Sequence, residues 1–406
     1  MPGKDRLEPL PPLVGRRRAF VASSLSFIAV FLAGATPIPL YDLYRAQNRV
    51  TNADLSLAAV GYFVFAVLAL LVLGRLSNHV GRKPVAIAAL VVALLGSAVF
   101  LSVNGPMPLI VARALQGLAA GLASSAIGAY AVDTAPARPR WLIGTITSAS
   151  TNVGLAIGAF GSGALVELAP LPRQLVFLLA GALLIVCIIC LLASPESIRR
   201  TRGAWRSLRP RFDLPPATRR FAPVCVAIFV ATWALGGYYQ SFGPSIAADD
   251  LGTSSALVAA AVFASYMAPS VLGGPIAGRL RPAAAQRVGM ALVVLAALGL
   301  LGAIAAGSAA LFIVAGVVGG FGMGLGMTGS MQALLPEAAP QQRAGLLALV
   351  YATSYLGAAV PSLIAGQLSR SVSLFAITAG YTALGVVALV ITLALAKNPE
   401  GNGDRR

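Results

Sequence analysis

Charge is scarce in this sequence: Asp, Glu, Lys and Arg fill only 11% of 406 positions, against about a quarter in soluble globular domains. A chain so poor in charge cannot coat itself with a hydrated surface, which excludes a soluble enzyme, a disordered chain and a nucleic-acid binder. Histidine is rarer still. His79 is the only one, so no histidine-based metal or catalytic cluster can be assembled. The three cysteines, Cys187, Cys190 and Cys225, all lie inside apolar runs, and no disulfide framework is indicated. Cys187 and Cys190 form a C-x-x-C, but no polar residue flanks it and no redox or metal role follows.

What fills the chain instead is apolar. Hydrophobic residues make up 58% and the mean hydropathy is +0.83, so lipid is the solvent for most of the surface. Twelve apolar segments recur: 19–40, 55–73, 85–103, 108–130, 142–165, 175–193, 221–239, 257–277, 288–306, 310–334, 346–368 and 372–396. Backbone groups in lipid must be satisfied within the protein, and continuous apolarity argues for helices over barrel strands. The expectation is an all-α integral membrane protein with twelve crossings.

Of the 30 Lys and Arg, 25 fall in the tails and alternate loops on one side, four (Arg45, Arg49, Arg173, Arg370) on the other, and Arg113 lies inside a segment. The positive-inside rule then makes both termini cytoplasmic and explains the net charge of +17 without nucleic acid. Arg17-Arg18 is taken as an anchor of this kind rather than a twin-arginine export signal, because eleven further segments follow.

The chain divides into an N-terminal tail (1–18), a six-helix bundle (19–193), a basic linker (194–220), a second six-helix bundle (221–396) and a C-terminal tail (397–406). The linker carries eight arginines with Trp205, Leu208 and Phe212 among them, and either lies on the anionic inner leaflet or is a solvated tether. Gly74-Arg75-Leu76 reappears as Gly278-Arg279-Leu280, and Asp133-x-x-Pro136 as Glu337-x-x-Pro340, both at an offset of 204. Two matches at one offset argue for an internal duplication, and an even number of crossings per half makes it a parallel repeat.

The loop Gly74-Arg75-Leu76-Ser77-Asn78-His79-Val80-Gly81-Arg82-Lys83 resembles the signature G-x-L-x-D-r-x-G-R-[RK] of the major facilitator superfamily, in particular its twelve-helix drug and metabolite exporters. Gly74 is expected to allow close helix approach, Gly81 a tight turn, and Arg82 and Lys83 to hold the loop at the cytoplasmic face. The resemblance implies an ion pair between Arg82 and Asp133. It also implies a latch onto the eleventh helix, weakened here because Asn78 stands in place of the acid. Arg113-Ala114-Leu115-Gln116-Gly117 resembles the superfamily's R-x-x-q-G motif, which implies substrate or proton handling by Arg113 and Gln116; the alternative is snorkelling to the interface. Asn152-Val153-Gly154 to Gly163 is similar to a decayed antiporter motif with Ala159 at its proline. Gly324 to Gly329 spells G-x-G-x-x-G at lipid depth, a packing feature rather than a nucleotide site.

No acid lies in the middle of a segment. Asp42 and Glu167, at segment ends, are candidate proton sites or interfacial carboxylates. Trp233, Tyr238 and Gln240 in the seventh segment, with Tyr351 and Tyr355 in the eleventh, are candidates for substrate contact; Tyr238 is alternatively part of an aromatic belt. No G-x-x-x-x-G-K-[ST] occurs, so direct ATP coupling on this chain is excluded. The expected function is alternating-access secondary transport, with proton-coupled efflux of small, partly apolar compounds from the inner (plasma) membrane. Proton-coupled uptake of a small metabolite is the alternative, and a membrane enzyme or non-transporting sensor is the reading from another class. No cofactor is expected; the partners are a small-molecule substrate, protons and the bilayer, the protein acting as a monomer.

Overall fold

In the computed structural model, residues 13–136, 141–198, 201, 203–208, 215–338 and 342–399 are described. The tails proper, Arg138, Arg140 and the linker positions Arg199, Arg200, Arg202, Arg209, Arg211 and Phe212 lie outside them. Among the described residues the chain is all-helical. Twelve helices are long and apolar enough to cross a membrane: α1 (Gly15–Asn48), α2 (Asn52–Leu73), α3 (Arg82–Phe100), α4 (Pro106–Thr134), α5 (Ser150–Leu168), α6 (Leu175–Leu192), α7 (Ala222–Asp249), α8 (Ala256–Ala277), α9 (Pro282–Ala305), α10 (Ala309–Glu337), α11 (Gly345–Leu368) and α12 (Leu374–Leu395). Exposed side chains such as Leu95, Ile189, Leu295 and Val390 form the lipid-facing surface. The end where α1 begins and α12 ends is the basic end; the opposite one is called the far end.

Two helices outrun their sequence-based limits by the most. Helix α7 continues to Asp249 rather than stopping at Tyr239, passing through Pro244. Helix α1 is interrupted, not ended: it is helical to Ala35, turns through a 3₁₀ segment at Ile38–Leu40, and resumes at Tyr41–Asn48. Four of the six far-end starts are capped by hydroxyls, Thr51 with Asp54 in a capping box on α2, Ser255 on α8, Ser308 on α10 and Ser373 on α12. Each cap satisfies a helix-terminal N–H where lipid offers no acceptor.

The duplication is visible in the packing. A Cβ on Gly117 of α4 would collide with the carbonyl of Tyr62 on α2, and a Cβ on Gly320 of α10 with that of Tyr266 on α8. Tyr62 and Tyr266 are themselves 204 apart. Close approach through small residues is how helices associate where lipid supplies no hydrophobic drive. The acids below α4 and α10 repeat too. Arg16 donates to the Asp133 carbonyl at 3.3 Å and Arg220 to the Glu337 carboxylate at 3.3 Å, again residues at the 204 offset.

Candidate substrate chamber and its seal

Pro37 and Pro39 carry no N–H, so the proline-rich turn of α1 leaves its preceding carbonyls short of donors. Side chains from elsewhere repair this. Gln116 Nε2 donates to the Ala33 carbonyl at 2.7 Å, joined by Thr36 Oγ1 at 2.7 Å. Arg113 Nη1 donates to the Gly34 carbonyl at 2.6 Å and to Gln116 Oε1 at 2.9 Å. Ser162 of α5 donates to the Thr36 carbonyl at 2.6 Å. Arg113 is wholly buried, and its guanidinium lies 4.5 Å from the Tyr62 ring centroid.

Placing that charge within a span costs about 2.5–3.5 kcal/mol on insertion scales. The exposed carbonyl end of a helix attracts cations, and a desolvated cation–π contact adds about 2 kcal/mol. Snorkelling is therefore not what the arginine does. It closes the break in α1.

Between the halves lies a chamber of about 50 Å³. Its wall comes from α1 (Phe31), α2 (Tyr62, Phe63), α5 (Asn152), α7 (Trp233, Gln240) and α11 (Tyr355), with Phe263, Met267 and Met323 behind. Trp233 meets Tyr355 edge-on at 4.7 Å. Asn152 Nδ2 reaches across to Ser270 Oγ at 2.7 Å.

On the far side of the chamber the halves are tied together. Gly163 of α5 abuts Ala256 and Ala260 of α8, and Gly366 of α11 abuts Ala53 and Ser56 of α2. These crossings are the same contact seen from each half. Polar ties follow the seam. Ser56 Oγ donates to the Ser362 carbonyl, and Ser245 Oγ donates to Asn52 Oδ1 at 2.7 Å. Glu167 accepts from Ser255 Oγ at 2.6 Å and from the Leu257 N–H at 3.0 Å, capping α8 from the other half. Arg45 pairs with Asp249 at 2.7 Å and with Asp42 at 3.2 Å. Arg45 and Asp249 are 204 residues apart, so the duplication's equivalent positions meet each other and the pair sits on the axis relating the halves. Beside them Asp250 has a buried, unpartnered Oδ2, and burial with the adjacent Asp249 charge raises its pKa above the ordinary carboxylate value.

At the basic end Arg82 Nε donates to Asp133 Oδ2 at 3.1 Å, and its Nη1 donates to Ser77 Oγ at 2.8 Å and Asn78 Oδ1 at 2.5 Å. Lys83 Nζ donates to the Leu192 and Ser194 carbonyls at 2.7 and 2.8 Å, closing the end of α6. Gly81 has φ +113°, a conformation that favours glycine. Gly74 serves a different purpose from the one expected. Its missing Cβ clears the Leu70 carbonyl of its own helix, where α2 ends in a π-helical turn at Ala69–Leu73, rather than making room for a neighbour. The linker is docked on this loop: Thr201 donates its N–H to the His79 carbonyl at 2.9 Å, and its hydroxyl lies 2.9 Å from His79 Nδ1.

Of the residues singled out in the sequence, Asn152, Trp233, Gln240 and Tyr355 line the chamber. Arg113 and Gln116 stand behind it at the α1 break, and Asp42 belongs to the far-end seam. Tyr238 is sealed inside the second half, its hydroxyl 2.7 Å from Thr378 Oγ1, so it forms no aromatic belt. Tyr351 packs against the first half's core without lining the chamber. Phe31, Tyr62, Phe63 and Phe263 also line it without a local sequence signature, because an aromatic residue in an apolar segment looks the same facing lipid or chamber. The Tyr62–Tyr266 repeat was the available signal.

Comparison with known proteins bears on the same features. The stretches matched span about a quarter of the length of two curated relatives. An MFS-type transporter, TwmF, from Talaromyces wortmannii is 30% identical over 135 residues, 33% of this chain and 23% of that one. The proton myo-inositol cotransporter hmit-1.1 from Caenorhabditis elegans is 26% identical over 155 residues, 38% and 24%. The profile described as Major Facilitator Superfamily matches residues 19–280 and 224–406. With twelve helices in two equivalent halves around a chamber, this multi-pass membrane protein belongs to the major facilitator superfamily.

Proposed function

We propose that the protein exports small, partly apolar compounds by alternating access, in exchange for protons, with its basic end in the cytoplasm and the plasma membrane as its site. The observation that carries this is a chamber between two equivalent halves, tied shut on its far side by contacts that themselves obey the duplication. Rocking the halves apart along that seam turns a far-closed chamber into a far-open one. The charge distribution of the loops supports the orientation. Asp42, Glu167 and Asp249 all hold the seam, so it is rich in carboxylates on the side from which protons would enter; each charge crossing 100 mV gains about 2.3 kcal/mol. The protein works as a monomer in this scheme, since both walls of the chamber come from one chain.

A second reading, proton-coupled uptake of a metabolite, is favoured by one comparison, the relative named as a proton cotransporter. Reconstitution decides between them. Proteoliposomes loaded with a neutral aromatic dye are expected to lose it faster when the opposite compartment is acid; faster accumulation down the proton gradient would establish uptake. Cross-linking an Asn52→Cys, Ser245→Cys pair, whose side chains already meet across the seam, is expected to stop flux, and reductant to restore it. Flux that survives the cross-link would overturn alternating access through this seam.

A further inference from the structure

The chamber wall is unusual in what it lacks. Among the described residues lining it none is Asp, Glu, Lys, Arg or His. Six rings, Phe31, Tyr62, Phe63, Trp233, Phe263 and Tyr355, make up much of the wall. Two buried polar atoms there have no hydrogen-bond partner: Trp233 Nε1, a donor, and Gln240 Oε1, an acceptor. Buried polar groups in proteins are normally paired, so each such atom calls for an explanation. The other polar groups of the wall, the Asn152 amide, which donates to Ser270, and the Thr151, Tyr62 and Tyr355 hydroxyls, leave no such atom.

Resting on the transport reading above, we infer that the solute is an uncharged, flat aromatic compound presenting an acceptor to Trp233 and a donor to Gln240, the pattern of an aromatic amide or lactam. An anion meets a largely apolar, aromatic wall with no lining cation to offset its charge. A cation would suit an aromatic cage in isolation, but here the Arg113 guanidinium already occupies a face of Tyr62 and no lining carboxylate offsets a second positive charge. A neutral ring pays neither penalty and supplies the two missing hydrogen bonds. At about 50 Å³ the chamber is smaller than the roughly 150 Å³ cavity that takes up benzene. The ring therefore enters a wider conformation, parting Trp233 from Tyr355.

The test uses three isosteres on the full purified chain: 2-naphthamide, 2-naphthoate and 2-naphthylmethylammonium, titrated calorimetrically. The amide is expected to bind at least about ten times more tightly than either ion, as a single lost charge–environment match predicts. Trp233→Phe, which keeps the ring but loses the N–H, and Gln240→Leu are each expected to weaken the amide about three- to tenfold. Gly236→Val, whose Cβ would sit 3.4 Å from the Met267 methyl, fills the chamber and is expected to abolish binding, while Trp205→Phe on the exposed linker leaves it unchanged. An ion binding as well as the amide, absence of amide binding, or an amide affinity indifferent to Trp233 and Gln240 would overturn the assignment. Binding without flux in proteoliposomes would sink the transport reading and leave the ligand class standing. Flux of a charged dye in preference to the amide would do the reverse.

Discussion

The two halves use the same helix pairing for opposite ends. In the first, Gly117 brings α4 against Tyr62, and Arg113, one turn earlier, stacks on that ring and stitches the broken α1. In the second, Gly320 brings α10 against Tyr266, but the position one turn earlier is Gly316, and the ring is covered by Tyr239, stacked at 5.0 Å and 12°. Helix α7 runs through this region as one helix despite Pro244, so the 3₁₀ turn that the arginine stitches in α1 has no counterpart there. One scaffold thus carries a cationic splice on one side and an aromatic stack on the other. The charge follows the proline break, not the fold.

Swapping the two solutions should produce the largest effect. Gly316→Arg is expected to yield no folded protein, because even a Cβ there collides with Ser265 Oγ and approaches the Tyr239 hydroxyl to 3.0 Å; size-exclusion recovery from detergent reads this. A normal elution profile would show that the second half tolerates the first half's arrangement. Arg113→Ala is next. It loses two charged hydrogen bonds and a cation–π contact while relieving a buried charge, a net loss of about 2 kcal/mol. Lowered Tm and loss of flux with membrane insertion intact are expected, and unchanged flux would take Arg113 out of the mechanism.

Asp249→Ala, at the on-axis pair, should cost about 1 kcal/mol or less in stability, as exposed ion pairs do, yet widen spin-label distances across the far end. At Asp250 the sign is set by its raised pKa. The sealed form holds that proton more tightly than an open form with a solvated carboxyl, so sealing gains as pH falls towards the carboxylate range and weakens as pH rises past the raised value. Asp250→Asn is expected to flatten that dependence in the same distance measurement. The smallest effect is Tyr239→Phe, whose buried hydroxyl has no partner. Its Tm should be unchanged or slightly higher, and a marked drop would reveal a hydrogen bond on the aromatic side.

Much of the architecture was legible before any coordinates. Apolar run lengths located twelve crossings, and the paired Gly-Arg-Leu and acid-x-x-Pro motifs exposed the duplication. The chamber was only partly legible. Polar residues stranded in apolar segments, such as Asn152, Trp233 and Gln240, advertise themselves, whereas Phe31, Tyr62 and Phe63 do not. In water a helix shows its buried face by amphipathicity; in lipid both faces are apolar, and the period that would separate chamber from bilayer is lost. Arg113 was conspicuous for the same reason as the other polar residues, but its task was not. The proline-rich turn and the arginine lie far apart in sequence, and nothing local connects them.

Composition and spacing alone determined the solvent, the number of crossings and the parallel repeat, because those follow from hydrocarbon thickness and backbone hydrogen bonding, which act on each segment separately. Tertiary structure alone decided that Arg45 meets its own repeat counterpart, that Arg113 serves α1, and which rings enclose the chamber. Those outcomes depend on how helices distant in sequence cross, and the crossings are set by where small residues let two backbones touch.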